Sequence, residues 1–427
     1  MLQKIIAIVV VLAFFAVMLL TKKDRNIVFI DFVLIAFPFI SIDLLPSIFS
    51  FRIFDFLTLI FLLFFSNKNN HHQNTSRSQQ IIKYLFFLLV ISNILRTFYE
   101  NDFSLSFVTG SIQLLNLFIF SGIVYDNFNS NINYVKRIQH YFIFMLSFSF
   151  LFLLFQFVFG TEFTFSKSPN INISGGIITR YPSYFQDPQK YGQFLAALSF
   201  PVLFDRYSSK ISLAGMILFF ISLIALLYTG ARAPILGFMV ASLLLMPSLS
   251  TKIRFFFIMF MLGFIFSLFL FDDYIPVLNR ATLDDSYSFR NEIWKDALNI
   301  FYDNSVSGIG FGNYSTYVEV FNPDQFWIFD NDVTFFDHPE SGYLKNLVEF
   351  GIIGFVPFVL IIILVLFKGL SDYIKFKSFT KLVFTLAFLT WVIGYSTVYS
   401  LGDIRITVLV IVLSAFIVSD KKLEYIQ

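Results

Sequence analysis

Runs of apolar residues, each long enough to cross a bilayer and separated by short polar breaks, dominate the chain. A hydrocarbon core about 30 Å thick needs roughly 17 to 25 such residues per helix. The pattern predicts about thirteen spans, near 5–20, 27–45, 53–65, 83–95, 105–125, 138–159, 191–204, 211–229, 233–249, 254–271, 344–367, 380–399 and 405–418. One false early span would leave twelve. The expected fold is therefore an all-α polytopic membrane protein of 12–13 transmembrane helices. Residues 1–20 have the outline of a signal peptide, but no small-x-small site follows and Lys22, Lys23 and Arg25 stop the run, so a retained helix is expected.

Two long segments, about 160–190 and 272–343, fall on one side, and the intervening loops on the other side are short apart from 66–82. Of the 30 basic residues, eighteen belong to that compact side, among them Lys136, Arg137, Lys252, Arg254, Lys375 and Lys377. Positive residues stay inside, so the compact side is the cytoplasm, the C-terminus is cytoplasmic and the long segments face outward. Four stretches follow: N-terminal helices over 1–159, helices with Arg-bearing outer segments over 160–271, a large outer loop over 272–343 and C-terminal helices over 344–427.

Composition narrows the chemistry. With 57% hydrophobic and 14% charged residues in 427, the chain is neither disordered nor an ordinary soluble domain. The balance of 30 basic against 28 acidic residues gives no field for nucleic acid. Zero cysteines exclude disulfides, thiolate catalysis and cysteine metal sites. No glycine fingerprint for a nucleotide is present, and no cofactor is expected. Asp330, Asp332 and Asp337 could hold a divalent cation, but clustered acids in a loop are usually just solvated, and no metal is expected.

Cations on the outer side need a reason to be there. Five stand out: Arg180, Lys190, Arg232, Arg280 and Arg290. Arg232 stands in Thr-Gly-Ala-Arg-Ala-Pro between two apolar runs with almost no loop. An Arg at a helix centre costs about 2.5–3.5 kcal/mol, less at the interface. It is either an anion contact at a helix start or a snorkelling interfacial side chain. Arg180 and Lys190 flank an aromatic stretch with Tyr184, Phe185, Asp187 and Tyr191, suited to sugars or to interfacial packing. In the large loop, Ser288 to Leu298 reads as an amphipathic helix with Ile293, Ala297, Leu298 and Phe301 inward. It breaks at Gly308-Ile-Gly-Phe-Gly312, either a plain turn or a cradle for phosphate. His338, Glu340 and Ser341 then lead into an apolar helix, with Tyr343 and Glu349-Phe-Gly-Ile-Ile-Gly354 behind them.

In this order and sidedness, the Arg180 loop, Thr-Gly-Ala-Arg232, Arg290-x-x-x-Trp294, Gly-Ile-Gly-Phe-Gly, Glu-Ser-x-Tyr-Leu and Glu-Phe-Gly-Ile-Ile-Gly resemble the O-antigen polymerase and O-antigen ligase superfamily. These are bacterial membrane glycosyltransferases that use undecaprenyl-pyrophosphate-linked glycans. The resemblance covers about residues 175–365. In many relatives the His is followed at once by Asn or Ser; here His338 stands two residues upstream and Glu340-Ser341 takes that place, which is closer to polymerases than to ligases.

The resemblance implies a GT-C-like enzyme in the inner membrane with a periplasmic site. Arg180, Arg232 and Arg290, with Lys190, would hold the pyrophosphate. Glu340 or His338 would take the acceptor proton, with Arg290 beside the reacting centre. Tyr191, Trp294 and Tyr343 would contact glycan or lipid. Expected partners are undecaprenyl-pyrophosphate-linked oligosaccharides, membrane lipid and a chain-length regulator protein. A ligase acting on lipid A core is the nearest alternative. A flippase for lipid-linked oligosaccharides would show polar groups near the midplane in repeated halves, whereas the polar groups here gather on one face.

Overall fold

The computed structural model describes residues 2–44, 51–66, 76–100, 105–128, 132–161, 163, 179–185, 187–203, 211–270, 285–321, 326–329, 332–335 and 339–419. The chain is an all-α polytopic membrane protein. Its helices are α1 (Leu2–Leu20), α2 (Arg25–Ile35), α3 (Ile53–Ile60), α4 (Arg77–Glu100), α5 (Leu105–Phe128), α6 (Ile132–Phe159), α7 (Pro188–Leu198), α8 (Leu213–Tyr228), α9 (Arg232–Leu245) and α10 (Thr251–Leu270). They continue with α11 (Asp285–Asp303), α12 (Tyr314–Phe321), α13 (Gly342–Phe376), α14 (Phe379–Gly394) and α15 (Ile404–Val418). A hairpin in the large loop, β1 (Phe326–Phe329) with β2 (Asp332–Phe335), pairs Phe326 with Phe335 and Phe329 with Asp332.

Each of the apolar runs overlaps a helix. Among the described residues, five helical stretches are long and apolar enough to cross a membrane: Gln3–Leu20, Arg77–Arg96, Phe107–Phe128, Arg137–Phe159 and Gly342–Phe376. Others are shorter than the apolar pattern because proline stops them. Helix α2 ends at Ile35, ahead of Pro38, and α7 ends at Leu198, ahead of Pro201. A proline has no N–H for the ladder and disfavours helical backbone in the residue before it.

The chain forms two compact units. The first comprises 1–132, 287–365 and 395–421, and the second 133–286, 366–394 and 422–427. Phenylalanine fills the core of each. In the first unit Phe29 stacks on Phe61 at 4.3 Å, with Phe14, Phe54 and Phe120 edge-on around them. The buried Asp55 there accepts from Asn116 Nδ2 at 3.1 Å and from the Arg52 N–H at 3.1 Å, so a carboxylate among apolar helices is hydrogen-bonded. In the second unit Phe200, Phe219, Phe238 and Phe257 form one cluster, and Gly237 of α9 lets that helix ride against the Thr390 backbone of α14.

The large loop packs a small core of Ala297, Ile300, Ile309, Tyr314 and Val318 against Val348 of α13. Helix α11 forms as its periodicity predicts, but Leu298 is not on the inner face. Ile293, Ala297 and Ile300 are buried instead, a row at i, i+4 and i+7, and Leu298 sits on the neighbouring row with Trp294 and Tyr302.

Candidate functional site

The candidate side chains gather into two clusters, one in each unit. In the second unit the chain from Arg180 to Ser183 is held from behind by α6. Gln156 accepts from the Ser183 N–H at 2.8 Å and donates to the Ser183 carbonyl at 2.8 Å, which fixes a non-glycine residue at φ +55°. The Tyr181 N–H reaches the Tyr228 carbonyl at 3.1 Å, tying the loop to the end of α8. Burial, and the Tyr228 hydroxyl beside it, push the Tyr181 hydroxyl above the ordinary tyrosine range.

Arg180 is buried, and its Nε donates to the Thr229 carbonyl at 2.7 Å. Gly230, at φ +64°, is needed there twice over: the backbone is left-handed, and a Cβ would lie 2.9 Å from Arg180 Nε. Thr229 Oγ1 accepts from the Ala231 N–H at 3.2 Å, and α9 begins at once with Arg232. Thr-Gly-Ala-Arg is thus a turn wrapped around Arg180, and it brings two guanidinium-bearing residues to the start of one helix. Asp187 caps α7 by accepting from the Gln189 N–H at 2.7 Å, with Pro188 at the first helical position. Lys190 follows on the first turn of α7, half-buried. Tyr191 is fully buried among Phe185 and Phe194, its hydroxyl 3.4 Å from Ser149 Oγ.

In the first unit, Arg290 and Trp294 lie one turn apart on α11 and hold two consecutive residues. Trp294 Nε1 donates to the Pro339 carbonyl at 2.9 Å, and Arg290 Nη2 stands 3.4 Å from Glu340 Oε2. Glu340 itself is at φ +50°, a left-handed conformation that a non-glycine residue adopts at a cost of about 1–3 kcal/mol unless its surroundings impose it. Both members of the ion pair are about a quarter exposed, at 23% and 27%, so solute can reach them. Directly beyond, Gly342 packs against the Tyr395 ring and donates its N–H to the Tyr395 carbonyl at 2.9 Å, with the half-buried Tyr343 edge-on to that ring at 5.1 Å.

One turn deeper on α13 lies a pair that sequence reasoning left without a role. Lys345 Nζ is 3.6 Å from Glu349 Oε1, both are buried, and the ammonium sits 4.1 Å from the centre of the Tyr399 ring. Glu349 Oε1 also accepts from the N–H of Gly312 at 3.1 Å and of Tyr314 at 3.4 Å. Helix α13 is broken at Gly351, at φ +59° and ψ −170°. Around the break, Ile309 donates to the Val348 carbonyl and Gly310 to the Glu349 carbonyl, while Ile352 and Ile353 donate to Ser305 and Val306. Residues 305–310 therefore lie across the gap and replace the helical bonds that the break removes.

This settles how the glycine run is used. From Gly308 to Tyr314 every N–H donates within the protein, to Asn304, Val348, Glu349, Asn93 or Gly310. The run is a structural clamp, and its amides are not available to cradle a phosphate. Buried Arg96 of α4 completes the clamp, donating from Nε to the Gly308 carbonyl at 2.7 Å. The apolar span 83–95 ends beside this arginine, and that was the available signal for it. For the Lys345–Glu349 pair the signal was opposite charges four residues apart in an apolar helix.

His338 lies outside the described residues, as do Arg280, Asp330 and Asp337. Among the described residues no cluster of His, Cys, Asp or Glu could hold a metal ion.

Residues 217–359 match the family described as O-Antigen ligase, in agreement with the resemblance of the motifs to the O-antigen ligase and polymerase superfamily. The matched stretch contains Arg232, Arg290 and Glu340, and Arg180, Lys190 and Tyr191 precede it. No curated protein matches the chain.

Proposed function

We propose that this membrane protein, whose residues 217–359 match the O-antigen ligase family, is a glycosyltransferase that elongates a surface polysaccharide. It transfers a growing glycan from undecaprenyl pyrophosphate to a lipid-linked repeat unit on the outer face of the inner membrane. The observation that carries the reading is the Arg290–Glu340 pair, 3.4 Å apart and partly exposed, inside the matched stretch.

In the transfer, an acceptor hydroxyl attacks the anomeric carbon as the bond from that carbon to the pyrophosphate oxygen breaks. The hydroxyl proton must go to a base within hydrogen-bond reach, and the pyrophosphate leaves with the electron pair. Glu340 offers a carboxylate oxygen for the proton, with His338 the second candidate. At 3.4 Å the contact with Arg290 is longer than a good charge-assisted hydrogen bond, so the guanidinium can exchange it for a phosphate oxygen as donor binds. The exchange would free the carboxylate for the proton when the leaving group arrives. Arg180, Arg232 and Lys190 are the further cations that the family resemblance assigns to the pyrophosphate, and Trp294 and Tyr343 offer aromatic surface to the glycan or its lipid. Tyr191 supports the Arg180 loop through its ring packing.

The ligase reading keeps the same donor chemistry and has lipid A core as acceptor. Surface glycan from a strain deleted for the gene, resolved as a ladder on a gel, separates the two. A polymerase predicts that core bearing a single repeat unit remains while the ladder vanishes. Bare core with accumulated long lipid-linked glycan would assign the ligase instead.

A further inference from the structure

Helix α11 has three faces rather than two. Ala297 and Ile300 pack into the loop core, and Ile293 is buried on the same side. Glu292, Asn299 and Asp303 form an exposed polar side. Between these lies a row spaced by four residues, Trp294, Leu298 and Tyr302, exposed by 36%, 37% and 69%. Exposed Asn291 lies on the same side of the helix. Lys295 borders the row, where a long stem can lie on apolar surface with its ammonium in water.

The row does not end with the helix. Val306, just beyond it, is exposed, and its carbonyl accepts the Ile353 N–H at 3.3 Å. Ile352, Ile353 and Val356 are themselves exposed, and they belong to the membrane-crossing stretch of α13. The exposed apolar residues of α11 are thus followed, through Val306, by exposed apolar residues of a helix long and apolar enough to cross a membrane.

We infer that α11 lies along the bilayer surface, with Trp294, Leu298 and Tyr302 in contact with lipid at headgroup depth. Tryptophan and tyrosine favour this depth because one end of each ring is apolar and the other polar. A helix with one apolar stripe and one charged side lies in the interface plane. Since Trp294 and Arg290 hold Pro339 and Glu340, the same docking sets those residues at the level of lipid phosphates. That last consequence rests on the proposed function; the docking itself does not.

The absence of cysteine makes a clean test available. Leu298→Cys, Tyr302→Cys, Asn299→Cys and Asp303→Cys are each labelled with a nitroxide in the full chain, in lipid nanodiscs without donor or acceptor. At 298 and 302 oxygen should relax the label more than a water-soluble nickel chelate does, and at 299 and 303 the order should reverse. Nickel prevailing at all four positions would place α11 in water. Neither reagent reaching 298 and 302 would mean that protein covers the row, and either result overturns the inference. A second reading needs no label: brominated lipids should quench a component of the tryptophan fluorescence that Trp294→Phe removes. An unchanged quenched fraction in that variant also overturns it. Neither assay involves glycan transfer, so their failure leaves the proposed chemistry standing, and the loss of that chemistry leaves them standing.

Discussion

Gly308 and Gly351 occupy one another's side-chain space: a Cβ on Gly308 would overlap the Gly351 nitrogen, and a Cβ on Gly351 would lie 2.5 Å from the Gly308 nitrogen. Both are left-handed, at φ +72° and +59°. Two glycine-containing motifs far apart in the chain are therefore halves of one joint, at which a loop repairs a broken helix. The joint fixes the end of α11 to α13, the two elements that bring Arg290 and Glu340 together.

Replacing either glycine tests the joint. Gly308→Ala or Gly351→Ala adds backbone strain of about 1–3 kcal/mol and a clash with main chain that cannot swing aside. Both variants should lower the unfolding temperature in detergent and the yield of monodisperse protein, whereas Gly122→Ala, with open space at its Cβ, should not. Unchanged unfolding of Gly308→Ala would mean the close approach is not real.

The Lys345–Glu349 pair predicts an asymmetry. Lys345→Met leaves a buried carboxylate without its cation, which typically costs about 3–5 kcal/mol. The double change Lys345→Met with Glu349→Gln removes both charges and keeps an oxygen for the Gly312 amide, so it should unfold at a higher temperature than Lys345→Met alone. If the double variant is the less stable of the two, the pair is not coupled as its geometry implies.

Arg96→Leu should loosen the clamp while leaving every group of the proposed chemistry in place in the sequence. The Gly308 carbonyl would lose a charge-assisted hydrogen bond, which costs on the order of 1.5–3 kcal/mol. Amide exchange across 305–312 should quicken, and that of α1 should stay the same.

Arg232→Lys keeps the charge at the start of α9 and loses the planar fork that grips two oxygens at once. Glycan transfer should fall strongly while the protein still inserts and accumulates, as a ladder gel beside a membrane immunoblot would record. Full transfer in both Arg232→Lys and Arg232→Ala would remove the anion role from this residue.

Most of the fold was legible because its period is simple. Long apolar runs have one stable form in lipid, a helix, and each of the thirteen runs overlaps one. What the period could not convey was where helices stop short. Proline ended α2 and α7 inside runs whose hydropathy continued, and Gly351 broke α13 where Glu-Phe-Gly-Ile-Ile-Gly still reads as apolar. The candidate site was legible in part for a different reason. Arg180, Arg232 and Arg290 stood out because cations are costly beside lipid, whatever their partners. Their partners were not legible: that Thr229 and Gly230 wrap Arg180, or that Glu340 faces Arg290, depends on contacts between segments distant in the chain. Leu298 was assigned inward because hydrophobicity alone does not say whether a face meets protein or lipid.

The central claim is that Arg290 and Glu340 together carry the transfer. The most direct measurement is the surface glycan ladder of a deletion strain complemented with Glu340→Gln or Arg290→Lys, at matched protein levels. Loss of a general base costs about 10²–10⁴-fold, and loss of a preorganised contact to developing charge about 10²–10³-fold. Both variants should therefore leave core with a single repeat unit and no ladder. A full ladder in each would contradict the account.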